Sequence, residues 1–503
     1  MKSDSLKKEK TGSVRRPPVV AIMGHIDHGK TTLLDYIRKT NVTAKEAGGI
    51  TQHVSAYEIS HKTPDGERAI TFIDTPGHEA FAGIRSRGAK IADIAILIVS
   101  GEDGPKPQTI EALKFIIENK LPFIVAITKI DKPNANVERV KQAMLECEVY
   151  VEGYGGSVPC IPISSVTGQG INDLLDMILL ISDMEEFSGF PKNQAEGTVL
   201  EISRTKEKGI VATLIVKDGT LRKGMSLAAG NCVSVLRTME NFLGKKIDVA
   251  DPSTPVKVTG WSKAPSVGDL FLSFETKNQA EKYIELNVSG QKSQRHTDPA
   301  EARVILPIVV KADVESSLEA IEYELAKLTT DKIVPQIIQA GTGDINESDL
   351  KIASGDSKTL VLGFNVKVDS AAKSVAERFG LKIELFDIIY KLIERTQQIL
   401  AEQTPKTEVV ETRGQAKIIR FFSSVKDKQI IGGKVIDGSI GLGDEFKILR
   451  RGTEVGSGKI RELEQQKVKI KEVEKDREFG AMVEAKIEIA PGDVLETFVI
   501  VEK

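Results

Sequence analysis

Residues 24–31, GHIDHGKT, carry the residue types and the spacing of a phosphate-binding loop. The segment follows an apolar run at residues 19–23, which predicts a buried strand, and it precedes residues 32–39, which predict a helix. Gly24 and Gly29 allow the backbone to curl so that successive N–H groups point at phosphate oxygens, and the helix start adds partial positive charge. A chance glycine turn is the alternative, but strand, loop and helix in this order favour a nucleotide site.

Residues at the end of this loop and at 74–78, DTPGH, supply the groups that hold a triphosphate and its metal. We expect Lys30 to reach the β- and γ-phosphates and the Thr31 hydroxyl to bind Mg²⁺. Asp74 ends an apolar run, so its carboxylate can bind Mg²⁺ through water, and Gly77 can offer its backbone N–H to the γ-phosphate. A DxxG sequence alone is usually a turn, but after a phosphate-binding loop it is a strong signal.

Two further residues are candidates for chemistry that depends on the bound nucleotide. His78 follows Gly77 and can position an attacking water, although a histidine at the start of a surface helix is the alternative. The segment 47–51, AGGIT, suits a mobile loop whose Thr51 hydroxyl caps Mg²⁺ only when the γ-phosphate is present. A plain loop explains that segment equally well.

Residues 128–131, TKID, follow another apolar run and are candidates for binding the base. The Asp131 carboxylate can accept both N–H groups of the guanine edge, a pair that adenine does not offer, so it predicts GTP rather than ATP. The Lys129 stem can lie across the base, and residues 164–166 can present a backbone N–H to the guanine oxygen. The candidate GTP-binding residues are Gly24, His25, Ile26, Asp27, His28, Gly29, Lys30, Thr31, Thr32, Asp74, Thr75, Pro76, Gly77, His78, Thr128, Lys129, Ile130, Asp131, Ser164, Ser165 and Val166; the Mg²⁺ candidates are Thr31, Thr51 and Asp74, and the catalytic candidate is His78.

These candidates follow strands in an alternating pattern of strands and helices. Apolar strand-like runs occur at 19–23, 70–73, 94–99, 123–128 and 160–163, and helix-like stretches such as 108–119 and 171–181 lie between them. The alternation predicts a doubly wound parallel sheet covered by helices on both faces. Ligands of such sheets lie at the carboxyl ends of the strands, which is where the candidate residues fall.

The length of 503 residues indicates three or four domains, and the net charge of −3 gives no sign of a nucleic-acid partner but does not exclude one. The three cysteines, Cys147, Cys160 and Cys232, show no CxxC spacing, which fits a reducing compartment better than a disulfide framework or a zinc site. No apolar run is long enough to span a bilayer, and residues 1–16 are polar and lysine-rich without the core of a signal peptide. We expect a cytoplasmic monomer with a disordered tail at residues 1–16.

Two later regions share one pattern of short strands and turns. Residues 216–225, VKDGTLRKGM, resemble residues 435–444, VIDGSIGLGD, and a closing Gly-Asp follows in both regions, at 268–269 and 492–493. The matched order favours two copies of one small antiparallel β-barrel, although any two β-domains can share Asp-Gly turns. We read residues 217–220 as a hairpin-like turn.

Between the two barrels, strand-like and helix-like patterns alternate again and predict a compact α/β/α domain without a phosphate-binding loop. A helical stripe follows, and Pro405 ends it. The predicted organisation is therefore a tail at 1–16, a GTPase domain at 17–187, a first barrel at 192–290, an α/β/α domain at 301–385, a connecting helix at 386–405 and a second barrel at 406–503.

The order of these motifs resembles that of the translational GTPases. The strings EAGGITQH (46–53), GHEAF (77–81) and PQT (107–109) resemble bacterial translation initiation factor two in particular. The resemblance covers nearly the whole chain and implies a ribosome-stimulated GTPase that positions initiator formylmethionyl-tRNA on the small subunit and promotes subunit joining. It implies GTP or GDP and Mg²⁺ as cofactors, and both ribosomal subunits, their RNA and initiator tRNA as partners. Thr128 departs from the asparagine usual in the family, and we expect weaker nucleotide affinity without loss of guanine selectivity.

The resemblance also implies that the second barrel binds the aminoacylated end of initiator tRNA. Its candidate residues are Gly433, Glu478, Phe479 and Gly480. The family usually has cysteine at the positions of Gly433 and Phe479, and its arginine-rich turn is missing near residues 464–466. Phe479 is expected to line an apolar slot for the methionine. Alternatives for the whole chain are a GTP-binding scaffold in ribosomal subunit assembly that does not hydrolyse GTP, an elongation-type tRNA carrier and a metabolic GTPase subunit.

Overall fold

A computed structural model describes residues 13–39, 52, 54–77, 79–287, 304–330, 333–356, 358–403, 408–466 and 468–502. The chain forms two compact units, residues 1–403 and 404–503. Within the described part of the chain, no helix is long and apolar enough to cross a membrane.

The first region is built on a six-stranded sheet with the order β3-β4-β2-β5-β6-β7. Its elements are β1 (Val14–Arg15), β2 (Val19–Gly24), α1 (Lys30–Arg38), β3 (Ser55–Thr63), β4 (Gly66–Asp74), a 3₁₀ turn (Glu79–Phe81), α2 (Ala82–Ile91), β5 (Ile94–Ser100), α3 (Pro107–Glu118), β6 (Phe123–Thr128), α4 (Val137–Glu146), β7 (Cys160–Pro162), α5 (Ile171–Met184) and β8 (Ser188–Gly189). Helices α1 and α5 share an apolar cluster with one face of the sheet, and α3 and α4 share a cluster with the other. The predicted doubly wound sheet is confirmed. The antiparallel edge strand β3 was not predicted, because its polar residues lack an apolar run.

The prediction of a disordered tail is wrong for the last residues of that segment. Strand β1 pairs with β8, Val14 opposite Gly189, although residues 1–12 lie outside the described residues. The Arg16 guanidinium donates to both carboxylate oxygens of Asp93, at 2.5 and 2.8 Å, and lies over the Phe187 ring. These contacts hold the segment in place.

The second region is an antiparallel barrel-like sheet with the order β13-β12-β18-β9-β10-β17-β14-β15. Its elements are β9 (Glu196–Thr205), β10 (Gly209–Asp218), β11 (Leu221–Arg222), β12 (Ser226–Ala229), β13 (Cys232–Val235), β14 (Met239–Glu240), β15 (Lys246–Ile247), β16 (Val249–Ala250), β17 (Pro255–Thr259), β18 (Leu270–Phe274) and α6 (Lys277–Asn287). An isolated β-bridge joins Ser234 of β13 to Trp261, which follows β17, so the two ends of the sheet approach each other. The prediction of a hairpin-like turn at residues 217–220 is wrong, because strand β11, which follows these residues, pairs with β16 and not with β10.

The third region is a four-stranded parallel sheet with the order β20-β19-β21-β22. Its elements are β19 (Val304–Ala312), α7 (Glu315–Lys327), β20 (Ile333–Thr342), α8 (Glu347–Ala353), β21 (Leu360–Phe364), α9 (Ser370–Phe379), β22 (Ile383–Phe386) and α10 (Ile389–Gln403). Helix α7 packs on one face, and α8 and α9 pack on the other. The apolar stripe of α10, including Leu392 and Leu400, lies in the same cluster as α7, so this helix is docked on the α/β/α layer.

The unit at residues 404–503 is a closed barrel of six strands, in which β23-β30-β25-β26-β29-β24 returns to β23. Its elements are β23 (Glu408–Val425), β24 (Lys428–Gly441), β25 (Glu445–Arg450), β26 (Thr453–Gln465), β27 (Val468–Lys469), β28 (Glu472–Glu474), β29 (Glu478–Ala485) and β30 (Val494–Glu502). The short strand β28 pairs with the end of β24 as β16 pairs with β11.

The two barrels agree in their closing turns at the level of single hydrogen bonds. In the first barrel, Asp269 accepts the Ser266 N–H at 2.8 Å, and in the second barrel Asp493 accepts the Ala490 N–H at 2.8 Å. The glycine before each aspartate donates to the opposite strand, to Val199 or Ile418, also at 2.8 Å. The two sheets also pair equivalent strands in the same order, so the predicted internal repeat is confirmed.

Candidate functional site

The loop between β2 and α1 has the backbone of a phosphate cradle. Gly24 has a φ of +146°, and a Cβ atom there would lie 2.5 Å from the Ile98 carbonyl oxygen, so no other residue fits without a backbone shift. Gly29 takes the left-handed conformation, with a φ of +92°, as the residue that precedes α1. The turn therefore leads directly into the helix N-terminus, where anions are bound favourably.

Lys30 lies at the centre of this loop with only 6% of its surface exposed. Its ammonium donates to the carbonyl oxygens of Gly24, at 3.0 Å, and His25, at 2.6 Å. Burial lowers the pKa of Lys30 to about 8. The negative charge of Asp74 acts in the opposite direction, and the positive charge of Arg85 lowers the pKa further. A Cβ atom on Gly77 would first meet the Lys30 ammonium, so the structure brings the DTPG segment and the phosphate lysine together.

The two loop histidines have structural contacts. His28 is buried and its Nδ1 accepts the Ser100 N–H at 3.3 Å. Burial lowers the pKa of His28 to about 4, helped by the charges of His25 and Lys30. His28 is therefore neutral near pH 7, and its ring meets that of His25 edge to face at 5.0 Å.

The base-binding candidates meet at the carboxyl ends of β6 and β7. The Asp131 carboxylate accepts the Ser164 hydroxyl at 2.6 Å, and this hydrogen bond is the main reason why the pKa of Asp131 is lowered. Asp131 is therefore held ionised, as the recognition of two guanine N–H groups requires. Lys129 has a φ of +60°, Ser165 is partly buried, and Val166 is exposed.

Thr128 faces the phosphate loop. Its buried hydroxyl donates to the His28 carbonyl oxygen at 2.6 Å, which ties the end of β6 to the loop. The threonine thus keeps a structural link between the base and phosphate ends, and one hydroxyl hydrogen cannot also be donated to the base.

Several neighbours of the site were missed by sequence reasoning. The Gln108 side chain accepts the Ile26 N–H at 3.0 Å, so this predicted phosphate contact is used by helix α3. Gln52 is buried, donates to the Asp387 carbonyl oxygen at 2.8 Å and accepts the Ile389 N–H at 3.2 Å. Both glutamines stand in the strings that carry the family resemblance, but no local pattern indicates these distant partners.

Two predicted functional residues, Thr51 and His78, lie outside the described residues. Their neighbours are placed: Asp74 ends β4 and is 3% exposed, Thr31 is in the first turn of α1, and the Thr75 hydroxyl donates to the Ile22 carbonyl oxygen at 2.7 Å. Ile26 is not alone in having a partner for its N–H group. The His28 N–H donates to the His25 carbonyl oxygen at 3.5 Å, and the Ser164 N–H donates to the Gln169 carbonyl oxygen at 3.0 Å.

The four tRNA candidates of the second barrel divide between its two faces. Gly433 and Phe479 are cross-strand partners that face the core, where Phe479 is 5% exposed and its ring would lie 2.9 Å from a Cβ atom on Gly433. The strand register turns the Phe479 ring inward, so its place in an apolar slot for the methionine stays a prediction. Glu478 and Gly480 face outward, and Gly480 has open space above it.

Three family models match successive parts of the chain. They describe the elongation factor Tu GTP-binding domain (residues 15–183), elongation factor G domain 2 (194–274) and translation-initiation factor 2 (277–397). Translation initiation factor IF-2 of Anoxybacillus flavithermus is 42% identical over 97% of this chain and 69% of its own length, and that of Bacillus subtilis is 40% identical over 97% and 69%. A crystal structure of GDP-bound aIF5B from Aeropyrum pernix matches with 27% identity and a TM-score of 0.46, over 96% of this chain and 92% of that one. With a GTP-binding domain of this geometry and relatives of this identity and coverage, the chain belongs to the translation initiation factor IF-2 family of GTP-hydrolysing proteins.

Proposed function

We propose that this initiation factor uses GTP to position initiator formylmethionyl-tRNA on the small ribosomal subunit and to promote joining of the large subunit. Its hydrolysis is slow until the ribosome places His78 beside the attacking water. The observation that supports a triphosphate switch is the contact between Gly77 and the Lys30 ammonium, because one backbone N–H and one cation there can both meet a γ-phosphate.

The donor set fits Mg²⁺ as the accompanying ion. Thr31 and Asp74 offer hydroxyl and carboxylate oxygens, the ligands that Mg²⁺ prefers, and Asp74 is shielded from solvent. Thr31 and, through water, Asp74 would hold the ion, and Thr51 would complete the site when GTP is bound. The ion would neutralise charge on the β- and γ-phosphate oxygens.

The main test is turnover of His78→Ala with and without ribosomes. We expect this variant to bind GTP and GDP as the unchanged chain does, while ribosome-stimulated hydrolysis falls by at least about 10²-fold, because one positioning group is lost from the transition state. Gln52→Ala is the matched control for a change in the neighbouring loop that carries no catalytic group. Normal stimulated turnover in His78→Ala would contradict the role, and absence of stimulation in the unchanged chain would favour the scaffold alternative.

We propose that the acceptor end of the tRNA lies on the outer face of β23, β24 and β29. The Phe422 ring is 62% exposed and covers Gly432, where a Cβ atom would lie 2.9 Å from it. Gly432 pairs directly with Gly480, which leaves the strands beside the ring without side chains. An exposed aromatic ring beside a bare sheet surface supports stacking of an unpaired base. Arg420 on β23 and Lys434 on β24, which also pairs with Asp476 at 3.2 Å, are cations that suit its phosphates.

Initiator tRNA binding to the full chain tests this surface. Phe422→Ala is expected to weaken binding about tenfold, because a base stacked on an aromatic ring contributes roughly 1–3 kcal/mol. Phe379→Ala removes another half-exposed phenylalanine, from α9, and serves as the matched control. Comparison of formylmethionyl with methionyl tRNA shows whether the formyl group is recognised. Equal binding of Phe422→Ala and the unchanged chain would place the tRNA end elsewhere.

The proposed function also includes boundaries for the domains and a cellular location. We place the GTPase domain at residues 17–187, the first barrel at 192–290, the α/β/α domain at 301–385, the connecting helix at 386–405 and the second barrel at 406–503. We further propose a cytoplasmic monomer that contacts RNA of both ribosomal subunits. Sedimentation with and without ribosomes tests the monomer and the association together.

A further inference from the structure

Among the described residues near the nucleotide site, the most deeply buried charged side chain belongs to Arg85, to which the proposed function gives no role. Arg85, in helix α2, has a fully buried side chain. Its guanidinium donates to both carboxylate oxygens of Glu111 in helix α3, at 2.8 and 2.7 Å. A buried arginine is costly unless it is paired in this way, so the pair needs an explanation beyond packing.

A contact of Arg85 with the DTPG segment supplies this explanation. Its Nη1 donates to the Pro76 carbonyl oxygen at 3.2 Å, within the DTPG segment. The Pro76 carbonyl and the Gly77 N–H belong to one planar trans peptide group, so they point in opposite directions and turn together. A hydrogen bond that fixes the carbonyl therefore also fixes the direction of the Gly77 N–H.

We propose that Arg85, oriented by Glu111, is a positioning residue that sets how strongly the chain distinguishes GTP from GDP. It holds the 76–77 peptide so that the Gly77 N–H stays aimed for the γ-phosphate. Without Arg85 that peptide rotates more freely, and GTP must order it on binding. GDP has no γ-phosphate and does not use this N–H. The inference rests on the proposed role of Gly77.

Helix α3 also explains why Glu111 is in the right place. Gln108 lies three residues before Glu111, on the same side of the helix, and holds the phosphate loop through the Ile26 N–H at 3.0 Å. One helix thus holds the loop directly and the DTPG segment through Arg85. The distance between the two nucleotide-binding segments is thereby set by a single rigid element.

The test is the affinity of the full chain for GDP and for a GTP analogue that is not hydrolysed. Arg85→Met is expected to weaken analogue binding about tenfold and to change GDP binding less than about twofold, because a hydrogen bond to a charged group is worth roughly 1.5 kcal/mol or more. Glu111→Gln keeps Arg85 but weakens the ion pair that orients it, so the ratio of analogue affinity to GDP affinity should fall about threefold. Arg87→Met, in the same helix and paired with Glu319, should leave the ratio unchanged.

Each outcome bears on the proposal. An unchanged ratio in a folded Arg85→Met variant overturns it, and so does an equal change in Arg87→Met. If Arg85→Met does not fold, Glu111→Gln decides, because Glu111 is partly exposed and tolerates an amide. Gly77→Ala separates this inference from the proposed function: if Gly77→Ala leaves analogue affinity unchanged, the role of Gly77 fails. If Gly77→Ala weakens the analogue while Arg85→Met does not, only the present inference fails.

Discussion

The two barrels follow the same path but meet different surroundings. Lys217 of the first barrel and Ile436 of the second occupy equivalent positions, each directly before an Asp-Gly pair. The Lys217 ammonium donates to Asp93 of the GTPase region at 3.0 Å, whereas Ile436 is 40% exposed. The closing turns bond to Val199 in the first barrel and to Ile418 in the second, so Glu201 and Arg420, each two residues later, are also equivalent. Glu201 is buried against Ser316, whereas Arg420 is exposed.

The difference separates the residues that determine the fold of each barrel from those that determine what the barrel packs against. Glycine and aspartate in the turns are shared, because they satisfy left-handed backbone and open N–H groups in both barrels. The outward residues are not shared. In the first barrel, Lys217 and Glu201 fix the barrel to the GTPase and α/β/α layers, and in the second barrel the equivalent residues Ile436 and Arg420 are exposed.

The largest expected effect comes from Asp93→Asn. This change leaves the partly buried cations of Arg16 and Lys217 without the buried carboxylate that pairs with both, which costs about 3–5 kcal/mol. Hydrogen exchange of the full chain should show β1 and β10 opening more often, since exchange reports local stability. Ile436→Lys, the equivalent position in the second barrel, should change the stability there by less than about 0.5 kcal/mol. Similar losses in both variants would mean that the two positions do not differ in their surroundings.

The next effect tests the shared part of the repeat. Gly219 and Gly438 have φ values of +72° and +62°, and a Cβ atom would collide with the backbone of residues 194–195 or of residues 413–414, respectively. Valine at either position should destabilise its own barrel by roughly 3 kcal/mol, from left-handed strain and the collision together. Alanine at Gly224 or Gly443, which are left-handed but open, should cost only about 1 kcal/mol. Melting of each variant followed by hydrogen exchange assigns the loss to a barrel, and unequal losses for the two valines would break the equivalence.

The smallest effect depends on pH. Burial raises the pKa of Glu201 to about 7, although hydrogen bonds from Ser316 and the Ile202 N–H act in the opposite direction. The unfolded chain releases this proton near pH 4, so between about pH 4 and 7 the folded state binds more protons and stability is lost as pH rises. Relative to Glu201→Gln, the unchanged chain should lose about 2 kcal/mol at the first barrel between pH 5 and 7, with little further loss above pH 7. A constant difference between the two proteins from pH 5 to 8 would exclude a buried titrating carboxyl group.

Local sequence patterns predicted the features that depend on neighbouring residues. The phosphate loop, the parallel strands and the repeated turns all follow from residues close together in the chain, and the structure confirms the sheet and the repeat. Strand β3 was missed because it is polar and is defined by pairing with β4. The contacts of Arg85 were missed because they join it to Glu111 in another helix and to the Pro76 carbonyl oxygen. The inward side of Phe479 follows from the regular alternation of strand β29, which pairs with β24 without a register shift.

The closed barrel also has a consequence for how the chain is synthesised. Strand β30, residues 494–502, lies between β23 and β25 and completes the ring. Strands β23 and β24 can form a hairpin as soon as they leave the ribosome, but the ring cannot close until residues about 80 positions later have emerged. Until then β23 and β25 each present an unpaired edge, which can pair with other chains. The unit therefore depends on late folding, and an arrest of synthesis before residue 494 should leave it open and prone to aggregation.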